Sequence, residues 1–345
     1  MPNPQAAQDA RLRTLVAMPE ATWAQVVTPP VRDRLERVAE LLGMRHAVPV
    51  LDGSFDAVRS ELSEAEVLLT GWGCPPITAD VLDAAPKLRA VVHAAGTIKT
   101  FVDPVVFERG IVVSSAAAAN AIPVAEFALA AIVLAGKRAF RHRDWYRTVD
   151  RSRPLPGAPV IGNLGTTIGV LGASRIGRLV LERLRGLDVD VLVSDPYLSE
   201  TEAAAFGATW CDLKTLFAAS DIVSLHAPLL PETRGLVSAE LLAAMPDGAV
   251  LINTARGGLI DQAALERECS AGRIDAVLDV SDPEPLPADS PLLQLPNVFV
   301  TPHLAGAMGN EVIRLGEAAV REIERLAAGL ELAHGIDRED LDRIA

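Results

Sequence analysis

Cysteine is scarce: Cys74, Cys211 and Cys269 are the only three in 345 residues, and they lie far apart. An odd, scattered set supplies neither a disulfide framework nor a CxxC pair, and reduced thiols in a cytoplasmic protein are expected. Positive charge is also short. The 32 Lys and Arg face 45 Asp and Glu, and the net charge of −13 repels phosphate backbones and anionic lipid over most of the surface. No nucleic-acid partner is expected. Long apolar runs are missing as well: the longest, Phe127 to Gly136, sits between Glu126 and Lys137 and is about half of the roughly 20 residues a bilayer span needs. It reads as a buried helix, and no membrane partner is expected. The apolar stretch near the N-terminus is too short for the hydrophobic region of a signal peptide. His46, His93, His142 and His334 have no metal-ligand spacing to one another or to the cysteines. A metal site is not expected. Ser174, Ser224 and Ser281 lack a nucleophile-elbow setting, which argues against a hydrolase.

What is present is apolar material, 50% of the residues, in a chain longer than one core usually organises. Short runs of Val, Ile and Leu alternate with helical patterns from start to end, the signature of parallel sheets with crossover helices. The fold class is α/β. Strands are predicted at Thr14 to Ala17, Val67 to Thr70, Ala90 to His93 and Ile111 to Ser114, with helices at Pro30 to Leu42 and Thr78 to Ala84. A second, cleaner series follows near Thr167 to Leu171, Val189 to Ser194, Ile222 to Leu225, Ala249 to Asn253, Asp275 to Leu278 and Val298 to Val300. Pro123 to about Arg143 reads as an apolar connecting helix, and Gly309 to Gly329 as a helix returning to the first series. From Lys137 to Arg153 seven basic residues cluster with Trp145 and Tyr146. That stretch reads equally as a solvated face or as an edge meeting a second subunit.

The string Thr167-Ile-Gly-Val-Leu-Gly172-Ala-Ser174-Arg175-Ile176-Gly177 joins a predicted strand to a predicted helix. That is the setting a dinucleotide fingerprint requires. Gly172 permits the tight turn, Gly177 lets helix and strand pack closely, and the helix N-terminus offers unpaired N–H groups to a pyrophosphate. Ser174 stands where the middle glycine of that fingerprint belongs. Asp195 follows Gly177 at the end of the next strand, where a carboxylate would bond both ribose hydroxyls and repel a 2′-phosphate. The predicted cofactor is NAD rather than NADP.

Arg256, Glu284 and His303 each fall just past a predicted strand end on one half of the second sheet. Around them, Ser224-Leu-His226-Ala-Pro-Leu, Pro231-Glu-Thr-Arg-Gly-Leu, Asn253-Thr-Ala-Arg256-Gly-Gly-Leu-Ile-Asp, Leu278-Asp-Val with Glu284-Pro, and Thr301-Pro-His303-Leu-Ala-Gly recur in order. In these stretches the chain resembles the D-isomer-specific 2-hydroxyacid dehydrogenases. The resemblance runs from about Val124 to Gly306; before that it is looser, through Gly96, Glu108-Arg-Gly-Ile-Val-Val and Ala119-Asn120. It implies a hydride transfer between NADH and a small 2-oxo acid, such as glyoxylate, hydroxypyruvate or a bulkier relative. Arg256, forked and always charged, would hold the carboxylate and ketone oxygens. His303 would exchange the proton, and Glu284 would orient and favour the imidazolium. Backbone N–H groups at Ala95, Gly96 and Thr97 would grip the substrate carboxylate. The cofactor wall would comprise Gly172, Ser174, Arg175, Ile176, Gly177, Asp195, His226, Ala227, Pro228, Thr233, Thr254, Ala255, Arg256, Asp279, His303, Ala305 and Gly306.

The resemblance also implies the architecture: two Rossmann-like or flavodoxin-like parallel-sheet domains, with a NAD-binding domain, residues 124–304, inserted into a substrate domain of residues 1–123 and 305–345. The active site would lie in the cleft, and a homodimer would form through the Pro123 to Arg143 helix. One departure is Ser281, where the family often carries an aromatic residue. A second reading stays open, because the scaffold also resembles the C-terminal-binding corepressors, which use NAD to control protein association.

Overall fold

The computed structural model describes residues 11–43, 54–148 and 162–342. His46 and the end of the basic stretch, beyond Thr148, lie outside the described residues. Contacts divide the chain into two compact units, Met1–Asn120 with Ala307–Ile344, and Ala121–Gly306.

The first unit carries β1 (Leu12–Ala17), β2 (Ala39–Leu42), β3 (Val67–Thr70), β4 (Ala90–His93) and β5 (Val112–Ser115). The second carries β6 (Thr167–Leu171), β7 (Asp190–Ser194), β8 (Thr209–Trp210), β9 (Ile222–Leu225), β10 (Val250–Asn253), β11 (Asp275–Leu278) and β12 (Val298–Val300). A two-residue β13 (Gly335–Ile336) returns to the first sheet, whose order is β13-β5-β4-β3-β1-β2. All pairs in that sheet are parallel except β13 with β5. The second sheet runs β12-β11-β10-β9-β6-β7-β8 and is parallel throughout. Its order reverses between β6 and β9, the switch point beside which doubly wound sheets bind ligands. Strands such as β3, β4, β9 and β10 are buried at every residue, as parallel strands covered by helices on both faces must be.

Helices in the second unit start where a short polar side chain caps them. Ser174, Ser199, Asp212, Ser238 and Asp261 each accept a bond from a backbone N–H of the first turn. Their apolar faces pack against the sheet. Ile176 and Leu187 are half-buried, while Val180, Leu181 and Leu184 of the helix Arg175–Leu184 are fully buried against Ile168, Val170 and Val193.

Three expectations need correction. The helix predicted over Pro30 to Leu42 ends at Val38, and Ala39–Leu42 becomes β2, in parallel register with Leu12–Leu15. The periodicity continues into that segment, but pairing to β1 overrides it. The connector starts earlier than read: its helix runs Ala117–Gly136, encloses Pro123, and is separated by Arg138 at φ 52° from another helix, Ala139–Thr148. At 20 residues it is long and apolar enough to cross a bilayer, yet Ala125, Ala128, Ala131, Ile132 and Ala135 sit in the core of the second unit. Finally, the basic stretch is not simply a solvated face. Arg138 and Arg141 turn inward, 3.7 and 2.9 Å from the buried Asp275 carboxylate, while Phe140 stacks on Phe299.

Candidate active site

The chemistry gathers at the C-terminal ends of the second sheet's strands, beginning with the glycine loop after β6. Gly172 has φ +94°, and a Cβ there would lie 2.5 Å from the Ala227 nitrogen. A Cβ on Gly177 would lie 2.0 Å from the Gly172 oxygen and 3.3 Å from the His226 Cβ. Neither position admits a side chain, because the loop is pressed against the His226-Ala227 backbone. Ser174, in place of the middle glycine, caps the following helix, its Oγ accepting from the Gly177 N–H at 3.4 Å. The first helical N–H groups, of Arg175 and Ile176, have no acceptor within the helix and are open to an anion.

Asp195 follows β7, and its two carboxylate oxygens accept from the Ala173 and Tyr197 N–H groups, each at 2.7 Å. The acid is thereby fixed beside the glycine loop. Trp210 braces the same turn, its Nε1 donating to the Asp195 carbonyl at 3.2 Å.

After β9, His226 is buried, with Nε2 2.9 Å from the Ser224 hydroxyl. Burial pushes its pKa down to about 4, so it is neutral at physiological pH. Thr233 folds back on the same segment, accepting from the Leu230 N–H and donating to the Pro228 carbonyl, both at 2.7 Å. The wall of Ala227 and Pro228 is thus tied into one turn.

The last residue of β10, Asn253, fixes Arg256. Its Oδ1 accepts from the Ala255 N–H at 2.9 Å, and its Nδ2 donates to the Arg256 carbonyl at 2.8 Å. Thr254, between them, is buried with no bonding partner for its hydroxyl. Arg256 is largely buried; burial lowers the guanidinium pKa, and the charge of Glu284 opposes that shift. Gly257 follows because a Cβ there would overlap the Ser281 backbone, at 1.9 Å from its carbonyl carbon. That close approach brings the Arg256 loop against the segment carrying Glu284.

Glu284 and His303 meet directly: the Glu284 Oε1 lies 2.5 Å from the His303 Nδ1. Both side chains stay about half exposed, at 41% and 51%. His303 adopts a left-handed backbone, φ 54°, uncommon for a non-glycine residue. Asp279, after β11, holds that loop in place. Its Oδ1 accepts from the Thr301 hydroxyl at 2.6 Å and the Leu304 N–H at 2.8 Å, and its Oδ2 from the Ala305 N–H at 2.9 Å. Its own carbonyl accepts from the His303 N–H at 2.9 Å. Gly306 closes this loop and the second unit.

Several contributors escape sequence reasoning. Asn253 stands inside a quoted motif, but nothing in its type shows that it pins Arg256. The Glu284 loop is held by Arg234, 3.0 Å from Asp282, and by Gln262, whose Oε1 accepts from the Asp282 N–H at 3.1 Å. Ser281, the departure noted above, donates to the Pro283 carbonyl at 2.7 Å. Nothing in the residue types of these positions shows which loop each one holds.

The loop expected to take a carboxylate lies in the first unit, directly after β4. Ala94 and Ala95 are buried, whereas Gly96 and Thr97 are half-buried. His93, the last residue of β4, is buried with Nδ1 2.9 Å from the Thr70 hydroxyl, and burial pushes its pKa down to about 4. Of the three histidines at strand ends, only His303 has an exposed imidazole and a carboxylate partner. A fixed guanidinium and an exchangeable imidazole on one sheet edge can hold a small anion and move a proton to or from it.

Residues 127–305 match the family described as D-isomer specific 2-hydroxyacid dehydrogenase, NAD binding domain. The chain is 34% identical over 84% of its length to D-3-phosphoglycerate dehydrogenase of Mycobacterium tuberculosis, covering 54% of that protein. It is 34% identical over 72% of its length to glyoxylate reductase of Korarchaeum cryptofilum, covering 76% of that protein. It therefore spans about half the length of the phosphoglycerate dehydrogenases it matches. Among solved structures, the TT0316 protein of Thermus thermophilus superposes with a TM-score of 0.75 at 28% identity, covering 94% of this chain and 99% of that one.

Proposed function

This chain belongs to the D-isomer-specific 2-hydroxyacid dehydrogenase family, and we propose that it interconverts a 2-oxo acid and its D-2-hydroxy acid with NAD(H). The observation that carries this reading is the 2.5 Å pair of Glu284 and His303 on the sheet edge that also fixes Arg256. The second unit fits the cofactor. The N–H groups of Arg175 and Ile176 have no acceptor within the helix, Asp195 is held beside the glycine loop as a ribose-binding carboxylate would be, and the buried Thr254 hydroxyl lacks a partner. Arg175, Ile176 and Asp195 would hold the adenosine and pyrophosphate end, with Ala227, Pro228 and Thr254 toward the nicotinamide. When bound, NADH supplies the hydride.

The rest is the chain's own work. A 2-oxo acid presents a carboxylate beside a ketone, and Arg256 suits both oxygens through its planar fork. His303 gives a proton to the ketone oxygen in reduction and takes it from the hydroxyl in oxidation. Glu284 holds the imidazole by Nδ1, which leaves Nε2 for the substrate. Backbone N–H groups at Ala95, Gly96 and Thr97 bind the substrate carboxylate.

We also infer a cytoplasmic homodimer. An exposed apolar stripe on the helix Ala117–Gly136, with Ala130 and Leu134 outward and Phe127 half-buried, supports association through that helix.

The test follows NADH consumption against 2-oxo acids graded in size, with NADPH alongside and with His303→Ala and Arg256→Ala as controls. Turnover with NADH is expected, and each variant should lose at least about 100-fold in kcat/KM while still binding NADH. Undiminished turnover in either variant sinks the assignment. Tight NADH binding without any turnover would favour a cofactor-sensing binder instead. Sedimentation of the same wild-type sample checks the dimer, which a monomer would overturn.

A further inference from the structure

The strand ends of the first sheet differ in chemistry from those of the second. The chain leaving β1 reads Met18-Pro19, that leaving β3 reads Gly71-Trp72-Gly73-Cys74-Pro75-Pro76, and that leaving β4 reads Ala94-Ala95-Gly96-Thr97-Ile98. After β5 comes Ala116-Ala-Ala-Ala119. No charged side chain stands in any of these four segments. The β3 and β4 segments leave from one level, because Thr70 pairs with His93 and the Ala94 N–H donates to the Thr70 carbonyl at 2.8 Å. Trp72 is therefore a neighbour of the loop that takes the substrate carboxylate in the reading above, on which this inference rests.

Trp72 is the one large group in these segments that faces outward, with 41% of its surface exposed. Its backbone is fixed. The Cys74 N–H closes a turn onto the Gly71 carbonyl at 3.1 Å, with Gly73 at φ +84° in the third position. The Thr22 hydroxyl donates to the Trp72 carbonyl at 3.0 Å. Side chains are barred on either side, since a Cβ on Gly71 would lie 2.9 Å from the Thr22 Cγ2 and one on Gly73 would lie 2.7 Å from the Pro19 Cγ. An indole carried on so fixed a backbone and left half in water offers a flat apolar surface. A phosphorylated or dicarboxylic side chain needs fixed cations, and the one that adjoins these segments, Lys99, is exposed beyond the buried Ile98.

We propose that Trp72 is a specificity-determining residue and that the preferred substrate is a 2-oxo acid with an uncharged, apolar side chain. On this view the chain departs in substrate from the D-3-phosphoglycerate dehydrogenases it matches in sequence.

Calorimetric titration of the enzyme–NAD⁺ complex measures 2-oxo acid binding with no hydride available, so it reads preference separately from turnover. The probes are 2-oxo-4-methylpentanoate, 3-phosphohydroxypyruvate and glyoxylate, which has no side chain. The branched acid should bind at least about 100-fold more tightly than the phosphorylated one. Trp72→Ala should cost the branched acid about tenfold or more and leave glyoxylate within about threefold, whereas Trp72→Phe should retain most of the affinity. Equal or tighter binding of 3-phosphohydroxypyruvate overturns the proposal, as does an equal loss for the branched acid and glyoxylate in both variants. If the preference appears but no acid consumes NADH, the substrate class stands and the dehydrogenase reading fails.

Discussion

At the ends of β7, β10 and β11 the second unit places Asp195, Asn253 and Asp279: Asp195 accepts from N–H groups of the glycine loop and of its own turn, Asn253 from the Ala255 N–H of the loop that follows it, and Asp279 from N–H groups of the loop after β12. Beyond the Thr70–His93 pair that ends β3 and β4, the first unit places glycines, alanines and Trp72, fastened by backbone bonds and the Thr22 hydroxyl. The difference follows from what each edge has to present. An arginine, a glutamate and a histidine must be aimed from flexible stems, so their loops are anchored by buried polar side chains that over-determine the backbone. A row of N–H groups and a flat ring need only a bare, closely packed backbone. Polar anchoring is strong but costly to break, because each lost acceptor leaves buried donors unpaired.

Asp279→Ala is accordingly the largest effect expected. It removes the acceptors of Thr301, Leu304 and Ala305 at once and frees a His303 backbone held at φ 54°. Stability should fall by about 3 kcal/mol or more, and kcat by at least about 100-fold. The matching tie in the first unit, Thr22 to Trp72, is a single bond near the surface, and Thr22→Val should cost about 1 kcal/mol. Urea unfolding of the two variants decides the contrast; comparable losses would break it.

The two units also share one device, and acid should expose it in both. Each buries a strand-end histidine against a neighbouring hydroxyl, His93 with Thr70 and His226 with Ser224. Burial lowers both folded-state pKa values from the usual 6.5 to about 4. As pH falls below about 6.5, the unfolded chain takes up protons that the folded chain refuses, so stability declines and levels off near pH 4. Each histidine contributes a loss of at most about 3 kcal/mol across that window. His93→Gln and His226→Gln should each flatten the profile in urea melts at stepped pH. A profile unchanged in both variants would show that these imidazoles titrate alike in the folded and unfolded chain.

The sequence carried the buried strands better than the edges. Val67–Thr70, Ala90–His93, Thr167–Leu171, Ile222–Leu225 and Asp275–Leu278 coincide with the predicted bounds, because strands covered on both faces are written as unbroken apolar runs, and of the edge strands only Val298–Val300 coincides as well. β2, β8 and β13 are edge strands, two of them only two residues long, and only pairing partners define them. The motif residues were legible as types in a spacing; their anchors were not. Asp279 looked like a cofactor contact, and its bonds to residues 301–305 depend on β11 and β12 lying side by side. Arg138 and Arg141 looked like surface charge because Asp275, their partner, is more than a hundred residues away in the chain.

Ser174 gives the smallest and most pointed test, since it carries a polar anchor into the one place in the second unit where a bare backbone was expected. If its hydroxyl were required for phosphate binding, Ser174→Gly would weaken NADH strongly. The structure uses that hydroxyl as a helix cap, at a long 3.4 Å from the Gly177 N–H, while Gly172 and Gly177 already give the backbone its close approach. Glycine is itself an acceptable cap, so the variant should lose only a few tenths of a kcal/mol and keep its NADH affinity within about threefold. Fluorescence titration of NADH measures the second quantity. A loss beyond about tenfold would mean that the hydroxyl, rather than the helix N–H groups, carries the pyrophosphate, and that the second unit anchors its ligand as it anchors its own loops.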